Sequence, residues 1–201
     1  MIIHTLGPEA TDSNDAADYY LKRETGISQV VLHDCFEDIT DHLGIYQGDC
    51  LLIPAAFKSF RNHTDWADFH YGHVAQLTLI DCFRHPLNRL VLIRRLNAVQ
   101  DAAYTHPSTS ALLKSYLKSV GACPKVEYAD SKYLAYRKYQ ETQARFVLTN
   151  ERNVHLTSGE DVERSWTPDM VWCVYQIKSN EENRVRGHEN FTYKSSDRIN
   201  R

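Results

Sequence analysis

The feature that most limits this chain is a repeated alternation of short apolar runs with helical stretches that begin on polar residues. Strand-like runs at 2–6, 29–34 and 49–54 ("DCLLIP") are separated by helix-like patterns at 14–23 and 35–43. The alternation resumes with strands at 77–82, 90–94, 102–105, 125–128, 145–149 and 171–177 ("VWCVYQI"), and helices at 110–119 and 132–141. Strands interleaved with helices of about ten residues predict an α/β fold with largely parallel sheets. No internal repeat is found. The chain has 201 residues, enough for one compact domain or two small lobes. Hydrophobic residues make up 42%, against eight glycines and six prolines, so a sizeable core is expected.

Composition removes several function classes. The net charge is −3, so no basic excess points to nucleic acid or an anionic membrane. No apolar run is long enough to span a bilayer, and no secretory leader is read at the start. The five cysteines are odd in number and widely spaced, without a CxxC, which predicts free thiols and a cytoplasmic protein. Of the ten histidines, His63, His70 and His73 are the closest cluster, but no metal-ligand motif surrounds them. They read as a solvated polar loop, and neither metal nor organic cofactor is expected. From 179 to 201 the chain is polar and charged, and reads as a flexible tail.

Three strand-to-helix corners carry the functional signal. In "TLGPEATDSNDAADYY", Gly7 and Pro8 turn the chain, and Thr11, Asp12 or Ser13 can cap the helix that follows. "THPSTSALLKSY" repeats the arrangement with His106, Pro107 and Ser108, and "YADSKYLAYRKY" does so with Asp130 and Ser131. A helix start leaves N–H groups unpaired and is partly positive, so it suits an anion. In open α/β sheets such ends converge on one crevice. None of the three is a Walker loop or GxGxxG, which leaves a small oxyanion such as a carboxylate.

Taken together these stretches resemble the prephenate dehydratase superfamily. "TLGPEATDSNDAA" is similar to its opening Gly-Pro-x-Gly-Thr motif, "THPS" to its Ser-His-Pro motif, and "ADSKYLA" and "ARFVLTNE" to later segments. The match runs from about residue 3 to 177. It implies a two-lobed, type 2 periplasmic-binding-protein-like fold with the site in the inter-lobe cleft. The resembling catalytic domain would occupy 1–178, one lobe about 1–83 plus 155–178 and the other about 84–154. No ACT domain is expected after it, and the resemblance makes a homodimer plausible.

The departures narrow the implied activity. Where the family carries Thr-Arg-Phe, with the Thr as acid to the leaving hydroxyl, this chain has Met170, Val171 and Trp172. Where it has Glu-Asn-Ser, Pro54 is followed by Ala55, Ala56 and Phe57. The non-aromatising prephenate decarboxylases of bacilysin, aeruginosin and salinosporamide type share these losses. The resemblance therefore implies a cofactor-independent lyase that removes CO2 from a cyclic acid in specialised metabolism.

Within that frame, Thr11 and His106 are the catalytic candidates, His106 either as a proton carrier or as a structural turn residue. Ser13, Ser108 and Ser131 would bind carboxylate, Lys58, Arg61 and Arg84 would balance a dianion, and Phe57 and Trp172 would form an apolar wall. Two alternatives stay open: a related lyase or isomerase on another cyclic acid or thioester, such as a tropone-pathway intermediate, and a non-catalytic small-molecule binder.

Overall fold

The structure, a computed structural model, describes residues 1–59 and 61–179. The stretch read as a tail therefore lies, but for Ser179, outside the described residues. The first lobe is built from β1 (Ile2–Leu6), α1 (Asp12–Arg23), β2 (Gln29–His33), α2 (Phe36–Thr40), β3 (Cys50–Pro54), α3 (Trp66–Gly72) and β4 (Leu77–Pro86). The second lobe holds β5 (Leu90–Arg95), β6 (Gln100–Thr105), α4 (Ser110–Ser119), β7 (Lys125–Tyr128), α5 (Lys132–Thr142), β8 (Ala144–Asn150) and β9 (Glu160–Trp166). Strand β10 (Asp169–Ile177) returns to the first lobe.

Each lobe has a five-stranded mixed sheet, in the orders β2-β1-β3-β10-β4 and β7-β6-β8-β5-β9. Strands β1, β2 and β3 run parallel, and β10 lies antiparallel between β3 and β4. In the second sheet β6 is parallel to β7 and β8, while β5 is antiparallel to β8 and β9. The sheets are thus mixed, not largely parallel, because strands that cross between lobes enter each sheet from the opposite direction. The chain crosses just after β4 and just before β10, where Leu87 N–H donates to Pro168 O at 3.0 Å. Strand β9 belongs to the second lobe, so the expected assignment of 155–178 to the first lobe is corrected up to the second crossing.

The period of two along each central strand explains why both faces of the sheets are dry. On β3, Cys50 and Leu52 join the cluster under α1 with Ala16, Ala17 and Tyr20. Leu51 and Ile53 join the opposite cluster with Ile39 and Phe69. In the second lobe Val91 and Val147 pack with Tyr136 and Tyr139 of α5, while Leu92 and Leu148 pack with Leu113 and Leu117 of α4. Among the described residues no helix is long and apolar enough to cross a membrane.

Local chemistry starts the helices. Gly7 lies so close to β2 that a Cβ there would stand 3.0 Å from Leu32 Cβ, which explains a glycine at this corner. Asp65 and Asp68 form a capping box on α3, so the histidine-rich run is helical here rather than the expected polar loop. This helix and its cap take up His70 and His73: His70 Nδ1 meets the Tyr175 hydroxyl at 2.8 Å and His73 Nδ1 meets Phe69 O at 2.9 Å. No group of three or more metal-ligating side chains occurs among the described residues.

A second histidine group sits at the far end of the first sheet. His4 is buried, its Nδ1 2.9 Å from His33 Nε2, and its Nε2 3.5 Å from Asp49. Burial lowers the pKa of both imidazoles, and for His4 Asp49 opposes the shift only in part. Each imidazole therefore stays neutral in the fold after its unfolded counterpart has taken a proton. Their contribution to stability is complete above about pH 6.5 and declines as pH falls below it. The thermal midpoint should drop by roughly 5 °C between about pH 7 and pH 5, and His4→Asn should flatten that dependence in a calorimetric pH series.

Candidate functional site

The cleft between the lobes is lined from one side by the start of α1, by Phe36, by the segment after β3, and by β10. From the other side it is lined by the turn after β6, the start of α5 and the end of β8. It encloses about 850 Å³ not filled by atoms, counting the space open to solvent. Thr11, Ser13, Phe57, Lys58, His106, Ser108, Ser131 and Trp172 all line it. The three hydroxyl-bearing corners therefore meet at one cavity, as parallel strands of both lobes end there.

Their hydroxyls are not equivalent. Thr11 Oγ1 donates to Leu6 O at 2.9 Å and accepts from Asn14 N–H at 3.2 Å. Its only proton is thus spent on Leu6 O, so Thr11, a catalytic candidate in the sequence, has no hydroxyl proton left to donate to a bound anion. Ser131 Oγ accepts from Leu134 N–H at 3.0 Å, and its own proton has no acceptor among the described residues. Ser13 is buried, and its hydroxyl has no partner among the described residues. The Asp12 and Ser13 N–H groups belong to the first turn of α1, where no intrahelical acceptor exists.

His106 caps the short 3₁₀ turn at Pro107–Thr109. Its Nδ1 accepts from Ser108 N–H at 3.2 Å and lies 2.7 Å from Ser108 Oγ. With the Nδ1 lone pair so used, the neutral ring carries its proton on Nε2. The ring keeps water-accessible surface because the cleft is hollow. The protein packed around it nevertheless disfavours the cation, and the nearby Lys132 charge adds to this while Asp12 opposes it. The pKa lies well below its ordinary value, so His106 is neutral at physiological pH. Of the two roles open to His106 in the sequence, proton carrier or structural turn residue, a neutral capping ring fits the second.

Phe57 and Trp172 both line the cleft. Phe57 meets Phe36 edge-on at 5.3 Å between ring centroids. Trp172 is 1% exposed, and its indole N–H donates to His85 O at 3.1 Å. Met170 and Leu87 extend this wall, whereas Val171 points the other way and is exposed.

The expected ring of cations is not assembled. Arg84 pairs with Asp169 at 2.8 Å on the outer surface, because alternation along β4 turns Phe83 into the core and Arg84 away from it. Arg61 does not line the cleft but reaches over its rim to Asp130 Oδ2 at 2.8 Å, and its charge is neutralised there. Lys58 is exposed at the mouth and forms no ion pair among the described residues. Glu37 lines the cleft and accepts a hydrogen bond from Ser59.

The residues that organise the floor were given no site role in the sequence. Asp12 is 5% exposed and accepts four hydrogen bonds. Asn88 N–H and Nδ2 reach its Oδ1 at 2.8 and 2.9 Å, while Lys132 Nζ and Asn150 Nδ2 reach its Oδ2 at 2.6 and 3.1 Å. Burial alone would push this carboxyl up, but the Lys132 ammonium and the bonds from Lys132 and Asn88 outweigh it and hold the pKa below the usual range. One carboxylate thus ties α1 of the first lobe to the crossing segment and to two elements of the second lobe. Arg152 adds a second tie, to Asp15 at 2.6 Å and to Thr11 O at 2.8 Å. Asn150 is 2% exposed and lines the cleft, and its Oδ1 has no hydrogen-bond partner among the described residues. Asp12 was visible in the sequence only as one of several residues able to cap a helix.

No known family model matches the sequence, and neither does any curated protein. Solved structures do resemble it. The prephenate dehydratase of Arthrobacter aurescens, in complex with L-Phe, superposes with a TM-score of 0.56 at 12% identity, over 89% of this chain and 61% of that one. The prephenate dehydratase of Staphylococcus aureus gives 0.50 at 13%, over 88% and 66%. The periplasmic VFT2 domain of Bordetella pertussis BvgS gives 0.52 at 13%, over 96% and 88%. The chain thus spans less than two thirds of the length of these two dehydratases. At such identities the likeness is one of fold, and the protein has the two-lobed α/β fold that prephenate dehydratases share with periplasmic VFT domains.

Proposed function

We propose that this protein is a cofactor-independent carbon–carbon lyase that removes CO2 from prephenate or a close cyclic analogue without aromatising the ring, in antibiotic or other specialised-metabolite biosynthesis. The observation that carries this reading is the β10 wall. Where the resemblance would put the dehydratases' hydroxyl acid this chain has Met170, which lines the cleft, and beside it the Trp172 N–H is committed to His85 O. Asp12 is ionised, and His106 is a neutral imidazole. Neither is an acid strong enough to expel a ring hydroxyl.

The first-turn N–H groups of α1, with the Ser13 and Ser131 hydroxyls, would hold the side-chain carboxylate, and Lys58 at the mouth would supply the free positive charge. The departing carboxylate would face Leu87, Met170 and Trp172, where poor solvation favours release of neutral CO2. The electron pair left behind spreads through the diene and takes a proton on a ring carbon. Asn150 Oδ1 can only accept, so a ring hydroxyl held there would be kept rather than protonated. The free thiols fit a cytoplasmic enzyme; a homodimer is carried over from the resemblance alone.

A second reading, a non-catalytic binder of small carboxylic acids, is favoured by one observation: the Thr11 hydroxyl proton, His106 Nδ1 and the Trp172 indole N–H are already spent on the scaffold. Incubation with prephenate separates the two. Release of CO2 with a new ultraviolet-absorbing product and no phenylpyruvate is the expected result. Phenylpyruvate formation overturns the non-aromatising assignment, and saturable binding without turnover selects the binder.

A further inference from the structure

We propose that Cys82 and Cys173 form a peroxide-sensitive dithiol that closes to a disulfide between β4 and β10. The two residues face each other in the antiparallel register, so their side chains leave the sheet on the same side. Their sulfurs lie 3.8 Å apart. Directly opposed residues have Cα atoms about 4.5–5.5 Å apart, inside the range a disulfide spans, so side-chain rotation suffices to close the bond. Cys82 is exposed on the edge strand and Cys173 is buried behind it. Cys35, Cys50 and Cys123 have no thiol partner of this kind among the described residues.

The exposure sets the order of events. The Cys82 sulfur attacks hydrogen peroxide, an S–O bond forms as the O–O bond breaks, and water leaves. The Cys173 sulfur then attacks the Cys82 sulfenic acid, the S–S bond forms as the S–O bond breaks, and a second water leaves. Two thiols and one peroxide give one disulfide and two waters. Burial and the neighbouring sulfur push the Cys173 thiol up to about 12, which keeps it protonated and leaves the first encounter with peroxide to Cys82. The modified pair adjoins Trp172, so the bond would tie the edge strand to the strand that walls the cleft.

The test is oxidation of the full chain with a small excess of hydrogen peroxide near neutral pH, alkylation in denaturant, and tryptic mass mapping. The expected product joins peptide 62–84 to peptide 165–178, two hydrogens lighter than their sum, with Cys35, Cys50 and Cys123 alkylated. Full alkylation of both residues overturns the proposal, as does Cys82 driven to sulfinic acid beside an alkylated Cys173, or a link between two copies of Cys82. In Cys173→Ser, Cys82 should accumulate as a dimedone-reactive sulfenic acid that the parent chain does not show; equal labelling of the two proteins also overturns it. Cys82→Ser, an exposed change that leaves the core intact, should leave Cys173 unoxidised under the same treatment.

Discussion

Replacing Asp12 with asparagine is expected to destabilise the protein by about 3–5 kcal/mol, since it strands the partly buried Lys132 ammonium without its counter-charge. Urea denaturation measures this directly. Asp12 is 5% exposed and its carboxylate gathers Asn88, Lys132 and Asn150 from across the molecule. Lys132→Met alone should also be costly, because it leaves the carboxylate buried with fewer donors. The double variant Asp12→Asn/Lys132→Met should recover much of the loss, because the charged pair is then removed as a unit. The acid limb supplies an independent check. The folded pKa of Asp12 is depressed, so its contribution is present above about pH 4 and disappears as pH falls through the folded value. Asp12→Asn should remove that part of the acid titration while leaving the histidine limb nearer neutrality. A loss below about 1 kcal/mol, or an unchanged acid limb, would show that this junction does not hold the lobes.

Trp172→Ala is expected to cost about 3–5 kcal/mol as well, by a different route. The side chain is 1% exposed and packs in the cluster of Ile3, Leu52, Phe83 and Val174. Removing it opens a hole that reaches from the core of the first lobe into the cleft. Trp172→Phe fills much of that hole and leaves His85 O without the indole donor, so a smaller loss of about 1–2 kcal/mol is expected. If the proposed function holds, protection by prephenate in a thermal-shift assay should be lost in Trp172→Ala and largely kept in Trp172→Phe. If the two variants lose protection equally, the indole N–H rather than the apolar surface is what the cleft requires.

Much of the fold was legible in the residues. The first strand, α4 and β7 fall where the pattern put them, and α5 differs by one residue. These are segments with clear apolar periodicity and a polar start. Strand β9 was missed because only its first residue is buried and charges alternate along an edge. Helix α3 was missed because it is seven residues long and sits in a histidine-rich polar run. Within the site, Thr11, Ser13, Ser108 and Ser131 could be named because each marks the start of a helical turn, a property of a few adjacent residues. Arg84 could not be placed, since one step along a strand moves a side chain to the other face.

Neighbouring residues thus settle where elements begin, which faces are apolar and that three hydroxyl-bearing corners exist, because capping and periodicity act over a few positions. The floor of the cleft is another matter. Asp12 meets Asn88, Lys132 and Asn150 across separations of 76, 120 and 138 residues. Nothing local distinguishes these side chains from ordinary surface polar groups. The lowered pKa of Asp12 arises from the Lys132 charge and the bonds it accepts outweighing burial, and these exist only once the two sheets have packed and the crossing strands have brought the lobes face to face.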